Sequence, residues 1–188
     1  MQGEYFLRGV METASGFKLN PDSTFEFFFS YGALDRYGSG TWKQVGSNVI
    51  FNGRLRPAKD FALVKREKVA GNFTTIRIVD NNTPLLQYVT ALIKQGNTSI
   101  EKTTDSKGII SLPAHNVKTI ALIFQLCPDR FSHFDVADES HNYFEFRFEP
   151  WIAEVFFENF SLKIEDNSKL VGGHPLLKGE SYSFVRGN

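Results

Sequence analysis

The densest group of candidate metal ligands lies in residues 133–141, where two histidines and three carboxylates fall within nine positions. Imidazole nitrogens and carboxylate oxygens are ligands for Zn²⁺ and other divalent ions. In an extended segment His133 and Asp135 point to the same side, and a loop could bring back Asp138 or His141. The pattern therefore predicts a divalent-metal site of His133, Asp135, Asp138 and His141. A polar surface loop with solvated charges is the alternative.

Motifs that define catalysis by local spacing are missing from the sequence. No Gly-x-Ser-x-Gly elbow is present, and Gly38-Ser39-Gly40 is not followed by the lysine that a phosphate-binding loop requires. Cys127 is the single cysteine, which excludes an internal disulfide, and we interpret it as a buried residue rather than a reactive thiol. We therefore predict a protein that is not an enzyme and has no cofactor.

Phenylalanine alternates along one predicted strand, with Phe25, Phe27 and Phe29 on one face. Together with Trp42 these side chains could line a pocket for a small apolar ligand, and Asp35 and Arg36 follow the strand where a rim site would lie. The alternatives are an ordinary hydrophobic core and a structural contact between the aspartate and the arginine.

Composition places these residues in a β-rich globular protein. The chain has 188 residues, of which 41% are hydrophobic and 19 are phenylalanine, a residue that favours strands. Apolar positions recur with strand periodicity, and no window keeps the spacing of an amphipathic helix. Lysine and arginine number 21, as do aspartate and glutamate, so the net charge is zero and we expect no nucleic-acid partner.

No apolar stretch approaches the roughly 20 residues of a membrane span, and the first residues do not resemble a signal peptide. We expect a periplasmic or extracellular location if a leader has been removed, and a cytoplasmic one otherwise.

Turn-forming residues separate strand patterns about every ten residues. The charged segment 65–72 is the best candidate boundary, although it could be a polar hairpin within one domain. We predict an all-β fold with an antiparallel meander or small barrel at 1–66 and a β-sandwich at 73–188.

Residues 73–113 resemble the transthyretin-like fold of carboxypeptidase regulatory domains, which are Ig-like sandwiches. The pattern that carries this resemblance is a strand, a turn at Asn82-Thr83-Pro84, a second strand, and the hairpin sequence at 103–113 with Asp105 and Gly108 in its turn. The resemblance implies a module without catalytic residues that serves as a spacer or a binding platform.

The first half is similar to small calycin-like meanders, because Gly40-Thr41-Trp42 resembles the Gly-x-Trp element of lipocalins. In that family the tryptophan closes one end of a barrel. Here the element lies on a middle strand, and the first half is too short for eight strands. Residues 30–35 resemble a motif of bacterial proteins of unknown function.

These observations favour a non-catalytic binding or structural accessory protein with a protein or glycan partner. The first alternative is a carrier of a small apolar ligand in the first half. The second is a divalent-metal site in the 133–141 loop.

Overall fold

A computed structural model describes residues 1–113, 116–179 and 181–187. Those residues form sixteen strands and a single 3₁₀ helix at Thr83–Tyr88, so the all-β prediction is confirmed. The strands are β1 (Gly3–Arg8), β2 (Thr13–Leu19), β3 (Thr24–Tyr31), β4 (Leu34–Val45), β5 (Asn48–Asn52), β6 (Phe61–Glu67), β7 (Thr74–Val79), β8 (Val89–Gln95), β9 (Thr98–Thr103), β10 (Ile109–Leu112), β11 (Val117–Phe124), β12 (Ser132–Asp135), β13 (Tyr143–Phe148), β14 (Phe160–Asp166), β15 (Lys169–Gly172) and β16 (Tyr182–Arg186).

The chain divides into two compact units. The first combines Met1–Arg56 with Ala153–Asn188, and the second is Pro57–Ile152. In the sequence, the second unit is thus an insertion between β5 and β14.

The first unit is a closed eight-stranded barrel in the order β1-β16-β15-β14-β5-β4-β3-β2. Every neighbouring pair is antiparallel. Each barrel strand lies beside the barrel strand that follows it in the sequence, and β16 pairs with β1 to close the barrel. This is an up-and-down arrangement, in which every strand has two partners and no free edge remains.

One part of the barrel wall is completed by the segment that returns from the second unit. Along β4, the pairing with β5 covers the second half of the strand, from Thr41 to Val45. Beside the first half of β4, Glu154 forms a parallel bridge to Tyr37, and Val155 N–H donates to the carbonyl of Tyr37 at 2.7 Å. A Cβ on Gly38 would lie 2.8 Å from the carbonyl oxygen of Val155, so glycine permits this close approach.

Phenylalanine rings fill the barrel interior. The ring centroids of Phe17 lie 4.6 Å from Phe51 and 4.9 Å from Phe27, and Phe25 lies 5.0 Å from Phe157. The other buried members of this core are Tyr5, Leu7, Leu19, Phe29, Val49, Val155, Leu162, Leu170 and Phe184.

The second unit contains two four-stranded sheets, in the orders β10-β7-β13-β6 and β12-β11-β8-β9. The pair β7 and β13 is parallel, and the other pairs are antiparallel. Aromatic contacts join the two sheets, because Phe134 of β12 lies 4.8 Å from Phe146 and Phe124 of β11 lies 5.0 Å from Phe148.

The division of the chain differs from the predicted boundaries at 1–66 and 73–188. Strand β6, inside the predicted first half, pairs with β13 of the second unit. Strands β14 to β16, inside the predicted second half, pair with β5 and β1 of the barrel. The segment 65–72 therefore lies within the second unit, where Asn142 accepts a hydrogen bond from the amide of Val69 at 2.8 Å.

Among the described residues, no helix combines the length and the apolar character needed to cross a membrane.

Candidate functional site

The four predicted metal ligands occupy the end of β12 and the loop after it. His133 and Asp135 are both exposed on β12, on the same side as predicted, while Ser132 and Phe134 point into the unit. His141 lies 3.8 Å from Asp138, measured from Nε2 to Oδ2. No cluster of three or more histidine, cysteine, aspartate or glutamate side chains able to hold a metal ion occurs in 1–113, 116–179 and 181–187.

Asp138 has a local structural role in this loop. Its carboxylate accepts the backbone N–H of Ser140 at 2.9 Å, and its carbonyl oxygen accepts the N–H of His141 at 3.1 Å. Hydrogen bonds from Ser140 hold the pKa of Asp138 below its usual value. Cys127, three residues after β11, is buried, and its backbone N–H donates to the carbonyl of Phe124 at 3.0 Å.

The predicted pocket residues lie in the barrel core. Phe25, Phe27 and Phe29 point inward and are buried. Trp42 is half-buried against this core, and its indole N–H donates to the carbonyl of Asn20 at 3.1 Å. The ring contacts described above bring Phe25 and Phe27 against other core rings, and a carrier of a small apolar ligand in the first half stays a prediction.

The two predicted rim residues lie on opposite sides of β4. Asp35 is exposed on the outer side, whereas Arg36 points inward and is buried. The guanidinium of Arg36 donates to the carbonyls of Glu154 at 3.2 Å and Ala153 at 3.4 Å. Arg36 thus anchors the returning segment to β4.

A buried serine–histidine pair was not predicted from the sequence. Nδ1 of His174 accepts the backbone N–H groups of Leu176 and Leu177 at 3.0 and 3.1 Å. The ring hydrogen is therefore on Nε2, which donates to Ser15 Oγ at 3.0 Å. Ser15 in turn donates to the carbonyl of Phe28 at 2.8 Å.

This direction of hydrogen bonding is opposite to that of a nucleophilic serine, which donates its proton to the histidine. Both side chains are buried, and burial lowers the pKa of His174 to about 4. His174 is therefore a neutral, structural histidine at neutral pH.

The outer face of the barrel carries a row of aromatic side chains across four strands. The pairing register places Phe6 of β1 beside Gly16 of β2, Gly16 beside Phe28 of β3, and Phe28 beside Tyr37 of β4. Phe28 is 40% exposed and Tyr37 is 48% exposed. Large aromatic side chains that lie together at the surface mark interaction sites more often than single exposed ones.

Gly16 lets the two phenylalanine rings meet. A Cβ on Gly16 would lie 2.9 Å from the ring of Phe28 and 2.5 Å from the carbonyl oxygen of Tyr5, so a larger residue would displace the ring or the strand. Over this gap the rings of Phe6 and Phe28 make an edge-to-face contact, with centroids 6.2 Å apart.

A row of charged side chains runs beside the aromatic row. Glu4 of β1 pairs in register with Lys18 of β2, and Lys18 pairs with Glu26 of β3. The ammonium of Lys18 lies 3.5 Å from the carboxylate of Glu26, and both side chains are exposed. The aromatic row provides an apolar surface, and the charged row beside it provides hydrogen-bonding groups, so a single ligand can contact both.

Together the two rows form a depression of about 420 Å³, which we call the outer groove. Its volume lies within the range of about 300–1,000 Å³ typical of ligand sites. The six residues of the two rows line it, namely Glu4, Phe6, Lys18, Glu26, Phe28 and Tyr37. Phe17 and Phe27 of the barrel core also border it.

Tyr37 contributes a protonated phenol to this groove. Burial raises its pKa, and the nearby carboxylate of Glu154 adds to the rise. Phe28 was visible in the sequence as an aromatic residue on the solvent side of an alternating strand. Its neighbours Phe6 and Tyr37 could be recognised only once the register of four strands was known.

No protein-family model matches the sequence, and the comparisons with curated proteins and with solved structures found no significant similarity.

Proposed function

We propose that this protein is a non-catalytic binding protein that holds its partner in the outer groove of the barrel. The observation that carries the proposal is the row of Phe6, Phe28 and Tyr37, gathered on the solvent side of four neighbouring strands. Burial of grouped surface rings against a partner is favourable, and such patches mark interaction sites.

The chemistry of the buried polar groups supports a non-catalytic role. Ser15 and His174 are committed to backbone partners and to each other, which leaves the imidazole unable to accept the serine proton. Arg36 is likewise directed at backbone carbonyls of the returning segment.

We further propose that the barrel is calycin-like. The closed eight-strand order supports this assignment, as does Trp42, whose backbone and indole N–H groups bond to the turn between β2 and β3. The first half supplies β1 to β5, and the remaining three strands of the eight are β14, β15 and β16.

For the second unit we propose a β-sandwich of the Ig-like or transthyretin-like type. The two four-stranded sheets and the ring contacts between them support it. So does the turn at residues 105–108, where the carboxylate of Asp105 accepts the amides of Lys107 and Ile109, both at 2.9 Å.

A fragment screen by NMR tests the location of the binding site. The ¹⁵N-labelled chain is mixed with pools of small aromatic, sugar and dipeptide compounds, and shifted amide resonances are mapped. We expect shifts at Gly16, Phe28 and Tyr37, since a fragment in the outer groove changes the environment of these amides.

Phe28→Ala should remove these shifts, whereas Phe73→Ala, at an exposed residue of the second unit, should leave them unchanged. Shifts that cluster elsewhere in both variants would show that the groove is not the binding site.

A further inference from the structure

We propose that the outer groove binds a neutral pyranose unit of a glycan. This inference rests on the function proposed above and adds the class of ligand. Three features of the groove carry it: exposed aromatic rings, hydrogen-bonding groups in the adjacent row, and the absence of a free strand edge among β1, β2 and β3.

The aromatic row suits the apolar face of a sugar ring. The face of an aromatic ring is electron-rich, so the slightly positive C–H groups on one side of a pyranose stack favourably on it. Phe28 is the central ring, because it lies between the glycine gap over β2 and the phenol of Tyr37. The missing Cβ of Gly16 leaves room for the Phe28 ring to lie over β2, beside Phe6.

The charged row suits the hydroxyl groups at the edge of the same sugar. A hydroxyl both donates and accepts, so it can donate to the carboxylates of Glu4 and Glu26 and accept from the ammonium of Lys18. Glu4, Lys18 and Glu26 stand side by side in register on three neighbouring strands, so several hydrogen-bonding groups face one side of the groove. Bonds to charged groups are stronger than those between neutral ones.

The same features disfavour the other classes of ligand. Strands β1, β2 and β3 each have two barrel partners, so a peptide cannot add a strand to them. Two carboxylates against one ammonium disfavour an anion. A quaternary ammonium needs rings that surround it, whereas Phe6 and Phe28 contact each other.

Binding of defined trisaccharides tests the proposal. Cellotriose, maltotriose and chitotriose are titrated into the full chain by calorimetry, and the same titrations are followed by NMR. We expect at least one of them to bind and to shift the amides of Gly16 and Phe28. Phe28→Ala and Glu26→Gln should each weaken binding at least tenfold, and Phe73→Ala should have no effect.

The controls separate failure of the ligand class from failure of the function. Both groove residues are exposed, and tryptophan fluorescence checks that each variant is folded. If choline, inorganic phosphate or a hydrophobic peptide binds in a Phe28-dependent way and no trisaccharide does, the glycan assignment is overturned and the binding function stands. If trisaccharides bind equally well to Phe28→Ala, the glycan assignment to this groove is wrong. If no probe and no fragment shifts the groove amides, both proposals fail.

Discussion

His174 sits among aromatic rings, where a charged imidazolium would be poorly solvated. Its ring stacks on Phe184 with centroids 5.9 Å apart and lies 5.6 Å from both Phe29 and Tyr182. Both ring nitrogens are hydrogen-bonded, since Nδ1 accepts from two backbone amides and Nε2 donates to Ser15. Protonation of Nδ1 would place a hydrogen where two donors already point. Burial and geometry therefore favour the neutral form.

This environment predicts that acid destabilises the protein through His174. The pKa is about 4 in the folded chain against 6.5 for the unperturbed side chain. Above pH 6.5 both states hold the neutral ring, so His174 adds no pH dependence. As the pH falls from 6.5 towards 4, only the unfolded chain gains the proton, and stability decreases. The loss between pH 7 and pH 4.5 should be about 2 to 3 kcal/mol.

Urea unfolding of wild type and His174→Gln at both pH values measures this loss. The variant starts from lower stability at pH 7, and the difference between the two proteins should shrink at pH 4.5. His133→Gln, at an exposed histidine, is the control and should follow wild type. An equal pH dependence in wild type and His174→Gln would contradict the assignment.

The outer groove shows how far single residues can be predicted from this sequence. Strand alternation predicts Phe25, Phe27 and Phe29 on one side of β3, which leaves Phe28 on the other, and the structure has this arrangement. Which side chains lie beside Phe28 depends on the register of β1 and β4 against it. Register is set by packing of the whole barrel, so the sequence pattern of one strand does not contain it.

At the scale of elements, an ion pair between the buried carboxylate of Asp60 and the partly exposed guanidinium of Arg130 connects the start of the second unit to the segment before β12. Nε and Nη2 of Arg130 donate to the two carboxylate oxygens of Asp60 at 2.9 and 2.7 Å. The same guanidinium donates to the carbonyl of Pro57, and the amide of Asp60 donates to Ser132 Oγ at 2.8 Å. Two segments far apart in sequence are thereby joined by side chains.

Arg130→Met should therefore be strongly destabilising. It leaves the buried carboxylate of Asp60 without its charged partner, a change that typically costs about 3 to 5 kcal/mol. Lys65→Met, which breaks the exposed pair with Glu67 in the same unit, should cost less than about 1 kcal/mol. Urea unfolding compares the two, and Asp60→Asn combined with Arg130→Met should recover part of the loss. Equal effects of the two single substitutions would contradict a structural role for the pair of Asp60 and Arg130.

The barrel wall was harder to predict than its strands. The meander of β1 to β5 was evident from short connections, but β5 pairs next with β14, which begins at Phe160. An insertion of this length removes the local turn that usually identifies a strand partner. Glycines spaced as at 38 and 40 are typical of a turn, whereas both residues lie within β4. At Gly38 the absence of a Cβ admits the returning segment.

At the scale of the whole molecule, each unit has its own core and its own tryptophan. Phe157 belongs to the barrel core, with ring centroids 5.0 Å from Phe25 and 5.3 Å from Phe27. Phe146 belongs to the core of the second unit, 4.8 Å from Phe134. Trp42 lies in the barrel, while the indole of Trp151 donates to the carbonyl of Lys59 within the second unit at 2.9 Å. Fluorescence can therefore report on the two units separately.

We expect the units to lose stability independently when their cores are damaged, because the ring contacts of Phe157 and of Phe146 given above are each made to residues of the same unit. Trp151→Phe leaves Trp42 as the reporter of the barrel, and Trp42→Phe leaves Trp151 as the reporter of the second unit. In these backgrounds Phe157→Ala should lower the stability reported by Trp42 by about 3 to 5 kcal/mol, and Phe146→Ala should do the same for Trp151. Each substitution should change the other reporter by less than about 1 kcal/mol. If either substitution shifts both urea transitions equally, the chain unfolds as one cooperative system, and the second unit is an energetic part of the barrel rather than a module inserted into it.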